Sequence, residues 1–223
     1  MSSEFEVLDT LKFKNERIFL KEFHVARTFE ACRLINPRIS QKKILQVYNF
    51  IESETEKNLK NSKTFRLIFT DIEKIKYQVE AVDLQPLPPV PRLKVVTQIR
   101  QSSGIGKQNY KWTNRKFWNS AQALNLDCDD VIGVNEKDEL TETSRFNLFL
   151  YDRKQDIVFT PPLESGCVNG AYRRFVIQQG KIMLPNLGEK RVQSLRCCYQ
   201  ELVQYQVYVA NSVREVLLAR IDE

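Results

Sequence analysis

Histidine is almost missing from this chain: His24 is the only one among 223 residues. A His-based metal site or a Ser-His-Asp triad is therefore hard to build. The five cysteines, Cys32, Cys128, Cys167, Cys197 and Cys198, are odd in number and lack metal-ligand spacing. The neighbours Cys197 and Cys198 read as reduced core or surface residues rather than as a redox pair. No apolar run approaches the roughly 20 residues that span a bilayer. Near the start, Glu4, Glu6, Asp9 and Lys12 break every apolar run, so no secretory signal is read there. Internal repeats and low-complexity segments are missing too. Together these absences predict a soluble, cytoplasmic protein without a metal centre or a membrane partner.

What is present is an ordinary core-forming composition, 42% hydrophobic with 13 Phe. The 34 basic and 28 acidic residues leave a net charge of +6. The cations are scattered rather than gathered in a stripe, so no nucleic-acid partner is expected. A protein that binds a phosphate and a dicarboxylate would carry the same excess.

The pattern predicts mixed α/β structure. Alternation over Glu4 to Phe13, a polar turn and Arg17 to Leu20 form a hairpin signal. Lys21 to Ile35 fits an amphipathic helix stopped by Asn36-Pro37. Ser40 precedes a second helix whose face includes Ile44, Tyr48 and Ile51. Strands follow at Phe65–Thr70 and Tyr77–Val82. Four prolines between Leu84 and Pro91 then forbid helix or central strand. They divide the chain into a small α/β domain over 1–84, a linker over 85–92 and a larger domain over 93–223. The second part reads as a strand over Leu93–Ile99, a loop with Gly104 and Gly106, and a helix from about Asn114. A hairpin around Glu136-Lys137-Asp138 and a strand at Asn147–Leu150 come next. A helix from about Gly170 to Gly180, a short helix near Glu201 and strands at Val207–Ala210 and Val216–Ile221 close the chain.

Spacing alone does not single out any of the many lysines. The surrounding words do: Lys111-Trp112-Thr113-Asn114-Arg115, Val134-Asn135-Glu136, Leu140-Thr141-Glu142-Thr143, Asn147-Leu148-Phe149 and Thr160-Pro161-Pro162-Leu163. Gly166-Cys167-Val168-Asn169-Gly170-Ala171-Tyr172-Arg173 and Asn211-Ser212-Val213-Arg214 complete the string. In this order the words resemble the class IV aminotransferase family, the fold-type IV enzymes that use pyridoxal 5'-phosphate (PLP). Within it they are most similar to the aminodeoxychorismate lyases.

The resemblance implies an α/β (α+β) architecture of two domains, with PLP in the cleft between them. Lys111 would carry the cofactor covalently, and Glu142 would face the pyridine nitrogen. The phosphate would rest on the helix start at Gly170, Ala171 and Tyr172, where many relatives have Thr in place of Tyr172. Asn211 and Ser212 match a later cofactor word, and Arg27 matches an arginine that grips the phosphate. Thr10 aligns with a threonine that positions substrate. Arg145 is the nearest arginine in sequence for a substrate carboxylate. His24 is read as orienting its helix rather than as catalytic.

The implied reaction converts 4-amino-4-deoxychorismate to 4-aminobenzoate and pyruvate, in folate biosynthesis. A homodimer is implied, with an aminodeoxychorismate synthase as supplier of substrate. Transamination of branched-chain or D-amino acids, and a catalytically silent binding module, remain the rival readings.

Overall fold

The computed structural model of the chain describes residues 6–58 and 64–222. The expected start of the first strand at Glu4 lies outside them. Two compact units emerge. One holds the described residues of Met1–Gln85 together with Tyr110–Asn114; the other holds Pro86–Asn109 and Arg115–Glu223.

In the first unit, β1 (Val7–Lys14) and β2 (Arg17–Ile18) form the expected hairpin, with Lys14 opposite Arg17. Its two-residue loop, Asn15-Glu16, has positive φ at both positions (52° and 64°). That conformation matches the twist of paired strands, although Gly is commoner there. Helix α1 (Lys21–Ile35) ends where Asn36 bonds back to the Cys32 carbonyl and Pro37 disfavours continuation. Helix α2 (Gln41–Asn58) buries Ile44, Tyr48 and Ile51, the face anticipated from spacing. β3 (Thr64–Asp71) and β4 (Lys76–Ala81) complete an antiparallel sheet of order β2-β1-β3-β4. Helix α1 packs on β1, and α2 on α1. Val7, Leu11, Ile44, Tyr48, Leu67 and Phe69 form the core.

Tyr110–Asn114 pack with this unit although they follow the Pro-rich segment in sequence. Leu8 N–H donates to the Lys111 carbonyl at 2.9 Å, and Thr113 N–H to the Glu6 carbonyl at 3.0 Å. The segment thus pairs with β1 around a Val7–Trp112 bridge.

The second unit opens with β5 (Arg92–Gln101) and α3 (Lys116–Ala123). A buried meander follows: β6 (Asp130–Asn135), β7 (Leu140–Thr143), β8 (Asn147–Asp152) and β9 (Ile157–Thr160). Their runs, such as Leu148-Phe149-Leu150, are almost unbroken in apolarity because both faces are covered. Helix α4 (Ala171–Gln179) begins after Gly170 and stops at Gly180, whose φ of 67° closes the C-terminus. β10 (Lys181–Leu184) and β11 (Gly188–Ser194) form a ribbon that buries Ile182, Leu184 and Val192 and exposes most of its other residues. β12 (Gln206–Asn211), β13 (Glu215–Leu218) and β14 (Arg220–Ile221) finish the unit. The short helix expected near Glu201 is a 3-10 turn, Tyr199–Gln204.

These ten strands make one sheet, ordered β10-β11-β9-β8-β7-β6-β5-β14, with β12 on β8 and β13 on β12. Helix α4 rests on β10, β11 and β12. The loop before α4 is pinned by Asn109. This buried side chain donates to the Leu163 and Cys167 carbonyls, both at 2.8 Å, and the Asn109 backbone carbonyl accepts from Asn169 N–H.

Candidate functional site

Alternation along β1 turns Val7, Asp9 and Leu11 to the core, so a carboxylate is forced in among apolar neighbours. Asp9 is fully buried and survives because donors surround it. Its own strand supplies Thr10 N–H at 2.6 Å. Helix α1 supplies His24 Nδ1 at 2.9 Å, the Arg27 guanidinium and Thr28 Oγ1 at 3.4 Å. Helix α2 supplies the Tyr48 hydroxyl at 2.6 Å. Burial alone would raise the Asp9 pKa, but Arg27 and His24 outweigh it and hold the carboxyl well below the usual range. In Tyr48, burial and then Asp9 push the phenol upward, so it remains a donor.

His24 Nδ1 lies within ion-pair distance of Asp9, which by itself suggests an imidazolium. Burial lowers its pKa more than Asp9 raises it, and Arg27 and Lys111 lower it further. The neutral ring is the sounder assignment. Arg27 already balances Asp9, and Nε2 is buried with no hydrogen-bond partner. A second ring proton there would be a buried donor without an acceptor.

On the other face of β1, Thr10 Oγ1 accepts a hydrogen bond from Lys111 Nζ at 2.9 Å. Thus three residues singled out from sequence, Thr10, Arg27 and Lys111, belong to one unit. Asp9 joins the backbone of the first to the side chain of the second. Asp9 itself was missed in the sequence; the available signal was a charged residue at an inward-facing strand position.

In the second unit, β7 and β8 pair at Glu142 and Asn147. Asn147 Nδ2 donates to Glu142 Oε2 at 3.1 Å and to the Val168 carbonyl at 2.8 Å. Gly170 then starts α4 with φ −60° and ψ 150°, angles open to any residue. Space is what requires glycine: a Cβ there would strike Asn147 Oδ1. The first N–H groups of α4, those of Ala171 and Tyr172, have no intrahelical acceptor and sit at the positive end of the helix dipole. Burial pushes the Tyr172 phenol to about 12, with Glu215 adding to the shift, so it stays protonated.

Asn211 is largely committed to its own turn. Its Oδ1 accepts from Val213 and Arg214 N–H at 3.0 and 2.8 Å, and Nδ2 donates to the Arg145 carbonyl. Ser212 is buried beside it. The Arg145 guanidinium reaches Asp130 at 3.4 Å and the Asp129 carbonyl. It is therefore already engaged by protein groups, which weakens it as a partner for a substrate carboxylate. Among the described residues, no cluster of His, Cys, Asp or Glu could hold a metal ion. No described helix is long and apolar enough to cross a membrane.

The fold is that of the fold-type IV enzymes. A structure from Mesorhizobium loti, assigned provisionally as an amino-acid aminotransferase, superposes with TM-score 0.81 at 19% identity, covering 98% of this chain and 100% of that one. The 4-amino-4-deoxychorismate lyase of Pseudomonas aeruginosa gives 0.75 at 17%, covering 100% and 88%. A branched-chain aminotransferase from Thermoproteus uzoniensis gives 0.74 at 19%, covering 98% and 78%. Both chemistries thus share this fold. The chain belongs to the class IV aminotransferase family, whose profile matches residues 6–220. That family is PLP-dependent. No curated protein matches the chain in sequence.

Each unit, taken by itself, carries groups suited to such a cofactor. Lys111 offers an amine held by a neutral hydroxyl. Glu142 offers a tethered carboxylate. The start of α4 offers backbone donors suited to a phosphate, next to a glycine position already filled by Asn147.

Proposed function

We propose that this protein is a PLP-dependent lyase that converts 4-amino-4-deoxychorismate to 4-aminobenzoate and pyruvate. The observation that carries the reading is the 2.9 Å contact between Lys111 Nζ and Thr10 Oγ1. Elimination needs one group that first removes a proton and then returns it beside a departing oxygen. Lys111 takes the proton from the ring carbon bearing the substrate's amine. The carbon–oxygen bond to the enolpyruvyl group breaks, and Lys111 delivers the proton to its methylene, giving pyruvate and an aromatic ring. Thr10 keeps the amine within reach of that path and can relay a proton at Oγ1. Glu142 would accept a hydrogen bond from the ring nitrogen and favour its protonated form. Ala171 and Tyr172 N–H groups bind the phosphate; Ser212 belongs to the same group of contacts. When bound, PLP supplies an aldehyde for the amine and a ring that accepts electrons from the adjacent carbon.

The Lys-Trp-Thr-Asn-Arg and Thr-Pro-Pro-Leu words support the lyase over a transaminase. The reading also includes a cytoplasmic homodimer, checked by its mass in solution, and a synthase that supplies the unstable substrate. The deciding experiment gives PLP-loaded protein freshly made 4-amino-4-deoxychorismate and follows both products. Equal formation of 4-aminobenzoate and pyruvate, abolished in Lys111→Ala, is the expected result. Amino transfer to a 2-oxo acid without elimination would move the assignment to a transaminase. A protein that takes up no PLP would leave the silent binding module.

A further inference from the structure

We infer that Asn147 is a positioning residue that fixes the Glu142 carboxylate and the turn opening α4 in one geometry. The inference rests on the PLP reading and assigns a role to a residue that touches neither substrate nor reacting atoms.

Three observations meet on this side chain. One Nδ2 proton goes to Glu142 Oε2 at 3.1 Å, across the β7–β8 pair. Its other proton goes to the Val168 carbonyl at 2.8 Å, three residues before α4 begins. Oδ1 fills the space where any Cβ on residue 170 would lie. The amide is only 6% exposed, and both its donors are used, so its orientation is fixed by satisfaction as well as by packing. Val168 is tied in turn to Gly170, whose N–H donates to the Val168 carbonyl at 2.9 Å. A shift of the α4 start therefore pulls on Asn147, and Asn147 pulls on Glu142. The carboxylate for the ring nitrogen and the backbone donors for the phosphate are set by one amide. This also explains the glycine at 170, whose backbone angles do not require it.

The test uses the full chain titrated with PLP, following the visible absorbance of the bound cofactor, its affinity and thermal unfolding. Asn147→Asp keeps the shape and Oδ1 but removes both donors and adds a second anion beside Glu142. It is expected to weaken PLP binding about tenfold or more. It is also expected to move the absorbance maximum in the same direction as Glu142→Gln. Gly170→Ala should lose at least about tenfold in affinity in the parent, yet less than about threefold in an Asn147→Gly background, where the Cβ has room. Asn147→Asp with parental absorbance and affinity would overturn the inference, even with a lower melting temperature. So would additive losses for the two small substitutions. A parent protein that shows no cofactor absorbance would instead sink the PLP reading, and this inference with it.

Discussion

The charge state of His24 makes a sharp prediction, because no other imidazole in the sequence can mimic its titration. In the folded protein the ring is fully buried, and that burial pushes its pKa below 6.5. Unfolded, it takes up a proton near pH 6.5 like any exposed histidine. Below that pH the unfolded state therefore binds a proton that the native state refuses, and stability falls as the solution is acidified. One proton of difference amounts to at most about 1.4 kcal/mol per pH unit, and this sets the steepest slope the parent can show below pH 6.5. Asp9 works in the same direction but in a lower window. Its folded pKa is depressed, so its contribution is complete above about 3.8 and disappears only in stronger acid. Urea unfolding of the cofactor-free protein at about pH 7.5, 6.5, 5.5 and 5 separates the two. The parent should weaken across this range. In His24→Asn, whose amide can still donate to Asp9, the curve should be flat. A parent whose stability holds or rises towards pH 5.5 would refute the argument: it would mean that Asp9 keeps the imidazole charged in the folded state.

Asp9→Asn should cost about 3–5 kcal/mol in urea, because Arg27 is left as a buried charge without its counterion; a loss below about 1 kcal/mol would show that water reaches the cluster. Thr10→Val removes the acceptor for Lys111, and 4-aminobenzoate release should fall at least about tenfold while circular dichroism is unchanged. An aromatic disulfide reagent should label exposed Cys198 quickly and half-buried Cys128 slowly in the native protein. Cys32, Cys167 and Cys197, whose thiols burial pushes to about 12, should react only in denaturant. Gly166→Ala meets both a φ of 100° and the Ser102 carbonyl, so a loss of about 2 kcal/mol or more is expected in urea.

Much of the fold was legible because several elements carry local signals. Helix α1 has the same ends in pattern and in structure, and Asn36-Pro37 sets its C-terminus. Helix α4 is bracketed by Gly170 and Gly180. β9, β10 and β11 were not anticipated: β9 is a run of four residues, and the β10–β11 ribbon mixes charges into both faces. The pairing of Tyr110–Asn114 with β1 is a contact across about a hundred residues, and no local pattern encodes it. The Pro-rich segment marks a real change in the chain, yet a linear cut there separates Lys111 from the strand that holds it. The site shows the same division. Lys111, Glu142 and Asn147 lie in words that stood out, whereas Asp9 acts through side chains 15 to 39 residues away.

The two groups of site residues also differ in how much they depend on side-chain identity. The cluster around Asp9 is a closed set of complementary groups. Exchanging one member leaves a charge or a donor unmet, so tolerance there is low. The start of α4 works through backbone N–H groups, which every residue but proline supplies. The side chain at Tyr172 is thus free to vary without removing a backbone donor, provided that Gly170 leaves room for Asn147. What must be kept is the glycine, the amide that fills its space and the carboxylate that the amide holds. A site specified by so few side chains is compatible with a fold shared at 19% identity or less in the structures compared above. On the proposed PLP reading, Asn147 is therefore a better place than Tyr172 to break the cofactor site while leaving the helix intact.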